Sequence, residues 1–201
     1  MYQIASTIFG KCDDCRVKGV SLGILAFYGL GNYNKVLPYF ETAATSSDWN
    51  MRELAQMFCR KLIEKHPNGM KEYLLQLVKS EDAKLRRFVS ETLRLVQENR
   101  WFYRKPDYPL SILRCMFKES SPYARTSVGN NLSDLARRLP DLVYDIVKEL
   151  VDSGDENSYW IAYRACRNLV KKEPIKVMDL LKVNEYKYKN RIHRRSEYNR
   201  D

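Results

Sequence analysis

No stretch of this 201-residue chain approaches the ~18 consecutive apolar residues that a helix needs to span a bilayer, so an integral helical membrane protein is not expected. The opening Met1-Tyr2-Gln3-Ile4 carries neither a charged leader nor a cleavage site, and export is not expected either. Alternating apolar and polar runs joined by an Asn-Gly turn are missing, and with them the signal for a mainly antiparallel β fold. There is no glycine-rich phosphate loop. Neither of the two histidines, His66 and His193, joins a nucleophile and an acid in a recognisable set, so P-loop and serine-hydrolase chemistry lack support. His66, ahead of Pro67 at a helix end, reads instead as a cation suited to the helix dipole. The five cysteines are odd in number and irregularly spaced, which points to reduced thiols in the cytoplasm and away from a disulfide framework. Cys12-x-x-Cys15 lacks the second pair of ligands that a structural zinc site requires, so no metal or cofactor is expected. Cys59, Cys115 and Cys166 fall in apolar helical patterns and read as core.

What is abundant is positive charge: 35 Lys and Arg against 25 Asp and Glu, a net +10. The excess favours a polyanionic partner such as nucleic acid. Apolar residues at 44% are enough to bury a core and argue against a disordered chain.

The periodicity is helical almost throughout. Leu85, Phe88, Val89, Thr92, Leu93 and Val96 share one face of a helix. Short polar breaks separate such segments, several placing Ser, Asp or Asn just before the next one, where a side-chain oxygen can cap free backbone N–H groups. Arg52, Arg86, Arg125 and Tyr163 open equivalent segments at intervals of 34, 39 and 38 residues, and each is followed by a turn and a second helix. A helix pair repeated at about 40 residues is the mark of a HEAT-type solenoid. The expected architecture is an all-α superhelix of about five helix pairs in one domain, residues 1–182. Residues 12–45 would form an irregular capping pair, and residues 183–201 a basic tail.

In such an array, positions one, five and nine residues after each register position form a stripe beside the apolar face and are expected to line the concave wall. They are Glu53, Met57, Lys61; Arg87, Glu91, Leu95; Thr126, Asn130, Asp134; and Arg164, Asn168, Lys172. Three carboxylates among cations are surplus to a groove that only binds phosphate. Arg52 and Arg125, at the register position, read as bonds between repeats, whereas Arg87, Arg137 and Arg138 read as exposed. Trp49 and Trp160 stand at repeat starts, where packing is the default. Trp101, in Asn99-Arg100-Trp101-Phe102-Tyr103-Arg104, lies between cations in a predicted loop and is a candidate for stacking on bases. The tail cations Lys182, Lys187, Lys189, Arg191, Arg194, Arg195 and Arg200 are interleaved with Tyr186, Tyr188 and Tyr198. They suit phosphate neutralisation, or equally a solvated helix end.

The stretch Leu85-Arg86-Arg87-Phe88-Val89-Ser90-Glu91-Thr92-Leu93-Arg94 resembles the V-R-R-L-V-S-E-G-x-R segment of AlkC-type DNA alkylation repair glycosylases. Tyr123 to Asp134 is similar to that family's Y-V-R-R-S-V-A-N-x-L-N-D. Pro140-Asp141-Leu142-Val143 follows where the family has P-D-L-V, and Trp160-Ile161 with Arg167 to Lys172 resembles a later block. The sequence departs from the pattern where the family has R-P-R-L-P-W and this chain has Arg94-Leu95-Val96-Gln97. The resemblance, to the AlkC/AlkD-like group and within it to AlkC, covers about residues 48–182. It implies a HEAT-like array that grips duplex DNA as a monomer and excises cationic N-alkylated bases of the 3-methyladenine type. Residue by residue it implies Glu91 and Asp134 as catalytic acids, with Glu53 a weaker match. DNA contacts are implied for Arg86, Arg87, Arg94, Asn131, Arg164, Arg167, Lys171 and Lys172, and Trp101, Arg104, Arg137 and Arg138 complete the expected DNA-binding set.

The chemistry suits the stripe. A base alkylated at a ring nitrogen already carries positive charge and leaves without a general acid. What needs stabilising is the oxocarbenium-like sugar, and a carboxylate beside it supplies opposite charge and can orient water. The competing expectations are a HEAT module that binds nucleic acid without catalysis, and a protein-interaction scaffold whose acids pair internally with Arg87 or Arg137. The repair reading requires Glu91 and Asp134 to point into one shared cationic hollow.

Overall fold

A computed structural model describes residues 1–198; Arg200 of the tail lies outside the described residues. The helices are α1 (Tyr2–Lys11), α2 (Cys15–Gly29), α3 (Leu37–Thr45), α4 (Trp49–Lys65), α5 (Pro67–Leu77), α6 (Ala83–Thr92), α7 (Asp107–Leu113), α8 (Pro122–Leu135), α9 (Pro140–Asp152), α10 (Glu156–Ala165) and α11 (Pro174–Leu181). They form two layers. In one, α2, α4, α6, α8 and α10 stand side by side; in the other, α5 packs on α7 and α9 on α11, with α3 wedged against α4 and α6. No helix among the described residues is long and apolar enough to cross a membrane.

The local chemistry explains the elements. Carboxylates of Asp14, Asp48, Asp82 and Asp155 accept backbone N–H bonds at the starts of α2, α4, α6 and α10. Proline, whose fixed φ suits a first helical turn, opens α5, α8, α9 and α11. The register arginines behave as repeat hardware. Arg52 donates to the carbonyls of Ser46 and Ser47 at 2.7 and 2.8 Å, and Arg86 to those of Ser80 and Glu81 at 2.8 and 2.9 Å. Arg125 reaches across to Asn157 and lies 4.6 Å from the Trp160 ring centroid. α8 and α10 approach closely at Gly129, where a Cβ would lie 2.9 Å from Cβ of Arg164.

The structure differs from the sequence expectations in several places. Residues 12–45 hold the expected pair, α2 and α3, but a further helix, α1, precedes it and packs on α2. Cys59 and Cys166 are buried, but Cys115, in the 3₁₀ turn Arg114–Met116 that follows α7, is exposed. His66 closes α4 and opens α5, its Nε2 2.8 Å from the Leu30 carbonyl. Trp49 is 63% exposed, not packed. The tail is neither a free basic strip nor a helix end. Residues Glu185–Tyr188 (β1) and Arg191–Arg194 (β2) form an antiparallel hairpin pairing Tyr186 with His193, and Tyr186 is fully buried.

Candidate functional site

The stripe side chains do meet. Glu91, near the end of α6, and Asp134, near the end of α8, occupy equivalent places on neighbouring helices of one layer. Arg94, just past α6, joins them: one guanidinium nitrogen lies 2.8 Å from Asp134 Oδ2 and another 3.5 Å from Glu91 Oε2. Burial alone would weaken the charge on Arg94; its bonds to Asp134 and Glu91 outweigh that and favour the charged form. Glu91 pairs further with Arg87 at 3.1 Å, and Asp134 with Arg167 at 3.2 Å and Arg137 at 3.7 Å. Two carboxylates are therefore set among four guanidiniums, leaving a local excess of positive charge. Glu91 is 5% exposed, while Arg137 keeps 65% of its side-chain surface open.

The hollow beside Glu91, lined also by Glu53, Gln56, Arg87 and Tyr123, holds only about 20 Å³. That is room for a single water, not for a sugar or a base. Between the two acids themselves, Arg94 occupies the space, so the open cationic hollow expected from the sequence is closed there by its side chain. Pairing of Glu91 with Arg87 and of Asp134 with Arg137 is also the arrangement assigned above to an interaction scaffold. Glu53 does not join the cluster. It is exposed, makes no ion pair among the described residues, and lies between this hollow and a larger groove of about 780 Å³ at the starts of α2 and α4.

The remaining candidates divide. Arg86 is tied by two bonds, 2.7 and 2.9 Å, to the buried carboxylate of Glu119, so it holds two repeats together and is not free for phosphate. Asn131 is 2% exposed and donates to the carbonyl and hydroxyl of Ser90, another inter-repeat bond. Arg87, expected to be exposed, also donates to the Tyr123 carbonyl at 2.8 Å and stacks 4.3 Å from that residue's ring. Trp101 lies in a 3₁₀ helix (Gln97–Tyr103), not a loop, with its ring centroid 4.4 Å from Phe102 and 5.0 Å from Tyr108. It is half-buried against these rings in edge-on and tilted contacts. Arg138 is exposed over Tyr103, and Arg104 is exposed.

Arg164 bonds Asn130 Oδ1 at 2.9 Å, and Arg167 bonds Asn130, Ser133 and Asp134. Lys171 touches Asn168, and Lys172 is exposed. Tyr188, read from the sequence only as an aromatic of the basic tail, comes to the cluster: its hydroxyl lies 3.4 Å from an Arg167 nitrogen. Burial alone would push this phenol up, but the bond and charge of Arg167 outweigh it and hold it below the usual tyrosine range. Spacing on one helix face carries no signal for a residue delivered by a later hairpin. Cys12 and Cys15 belong to no metal-binding group: no cluster of three or more His, Cys, Asp or Glu is present among the described residues.

No protein-family profile and no curated protein matches the sequence. Solved structures do. The Streptococcus mutans protein smu.31 superposes with a TM-score of 0.69 at 19% identity, over 83% of this chain and 82% of that one. AlkD2 from Streptococcus mutans gives the same score and identity over 83% and 79%. Pseudomonas fluorescens alkylpurine DNA glycosylase AlkC, bound to DNA containing an abasic site analog, gives 0.71 at 19% identity over 90% of this chain. The chain spans about half of that AlkC, 51% of its length. These likenesses establish the architecture: the chain is a HEAT-type solenoid of AlkC/AlkD-like fold.

Proposed function

We propose that this solenoid binds duplex DNA through its cationic inner layer and hydrolyses the N-glycosidic bond of cationic N-alkylated bases of the 3-methyladenine type. The observation that supports the reading is the placement of Glu91 and Asp134, from adjacent repeats, on the single guanidinium of Arg94; the reading requires Arg94 to leave, opening the space that it closes between the acids. The acids are stored in ion pairs, and the partners suit release: Arg94 and Arg137 are the more exposed members and can re-pair with phosphates flanking a lesion. Asp134 then faces the sugar and stabilises its developing positive charge, with Glu91 orienting the attacking water. Arg167, largely buried, stays on Asp134 and holds its orientation. The fold shared with a DNA-bound AlkC and the net +10 support the partner class. The chain acts alone and without a cofactor, and its five unpaired cysteines fit the reducing cytoplasm.

The test is incubation with methylated duplex DNA and identification of free bases. The wild type releases 3-methyladenine. D134N, which keeps the hydrogen-bonding shape, releases it about 10²–10³-fold more slowly while still binding DNA. Unchanged release by D134N removes the catalytic assignment. A second reading, a nucleic-acid-binding array without catalysis, is favoured by the neutralised acids and the 20 Å³ hollow. It predicts salt-sensitive DNA binding with no base released. Absence of DNA affinity at modest salt would leave only the interaction scaffold.

A further inference from the structure

The hairpin is anchored at its base and bare at its tip. Tyr186 stacks on Tyr163 of α10 with centroids 4.4 Å apart and donates its hydroxyl to the Tyr163 carbonyl at 2.8 Å. The Tyr163 hydroxyl bonds the backbone N–H and carbonyl of Lys187 at 2.7 and 3.1 Å. His193, across the ladder from Tyr186, is buried, with Nδ1 2.7 Å from the Tyr198 hydroxyl. Tyr188 then sits about 6 Å from the guanidiniums of both Arg164 and Arg167. Because Arg167 also holds Asp134, the hairpin directly borders the carboxylate cluster.

The cations of the hairpin split by position. Near the base, Arg194 pairs with Glu185 and Glu197, and Arg195 with Asp179. Lys187 on the strand, and Lys189 and Arg191 at the tip, have exposed side chains that make no ion pair among the described residues. Lys189 is also conformationally out of place. It takes the first position of the two-residue turn between paired Tyr188 and Arg191 with φ of 55°, the left-handed region that favours glycine or asparagine. A lysine held there against backbone preference is the kind of local strain that accompanies function, and here the side chain brings an unpaired positive charge.

We propose that the hairpin is a phosphate-gripping finger: Lys187, Lys189 and Arg191 contact the backbone of duplex DNA beside the Glu91–Asp134 cluster, extending the binding surface beyond the helices. This rests on the DNA-binding part of the function proposed above and is independent of catalysis. It is tested by the affinity of the full chain for a short undamaged duplex across a salt series, read by fluorescence anisotropy. K189G suits the turn better than lysine does and keeps the fold while removing one charge. The slope of log affinity against log salt becomes shallower by about one for K189G and about two for K189G/R191A, whereas K189R keeps the wild-type slope. Wild-type slopes in both charge-removing variants, with intact thermal unfolding, overturn the finger even where base release is retained. Altered slopes in a protein that releases no base uphold the finger and remove the catalytic reading instead.

Discussion

Glu119 ties two repeats through one carboxylate. It accepts both nitrogens of Arg86 from α6 and, at 2.8 Å, the backbone N–H of Ser121 at the start of α8. Burial alone would raise its pKa, but the bonds from Arg86 and Ser121 outweigh this and hold it below the usual carboxylate range. A depressed pKa contributes stability that is complete above the ordinary value near 4.3 and is lost as pH falls through the depressed one. E119Q leaves the largely buried Arg86 guanidinium with only its bonds to the Ser80 and Glu81 carbonyls and no paired carboxylate, and is expected to cost about 3 kcal/mol at pH 7. Denaturant unfolding of wild type and variant should converge as pH falls below the carboxylate range; a gap independent of pH would contradict the assignment. The same pair shows what sequence could not tell. The acid one turn before Arg86, Asp82, caps α6, so Arg86 looked free for phosphate; its partner is supplied by a loop 33 residues later. Glu91 and Asp134 were legible because equal register in successive repeats fixes which side chains face each other. That Arg94 would fill the space between them was not, since it lies past the helix end, where periodicity stops carrying information.

At the scale of elements, cap chemistry sorts the inner helices. Asp82 accepts the Lys84 N–H at 2.7 Å at the start of α6, whereas Ser121 makes no side-chain cap bond at α8, where Glu119 performs that service. D82A is expected to cost about 1 kcal/mol, and S121A to stay within about 0.5 kcal/mol of wild type. Equal losses in chemical denaturation would refute this division. The helices and their order were readable because caps, prolines and a 3.6-residue period all agree. The hairpin was not. Its inward positions are Tyr186, Tyr188 and His193, and the residues between them are mostly charged, so the two-residue alternation looked like a solvated basic segment. Trp49 and Trp101 depart from their expected settings for a similar reason. Which tryptophan finds a packed neighbour depends on Tyr108, which follows a turn, and not on the local pattern.

Over the whole molecule, the inner layer is a chain of cross-repeat bonds: Arg60 to the Glu91 carbonyl, Asn131 to Ser90, Arg164 to Asn130, and Asn168 to Ser133. Each repeat thus sets the position of the next, and an error at one step is passed along. Gly129 is a tight point in that succession. A methyl group added there would meet Cβ, Cγ and Cδ of Arg164 at 2.9, 3.1 and 3.2 Å, the rigid root of the side chain and not its mobile end. G129A should therefore act as a wedge, cost about 1–3 kcal/mol, and swing the last helix pair outward with Arg167 and the hairpin it carries. One missing carbon atom thus keeps α8 and α10 at the spacing from which the last repeat and its hairpin are hung.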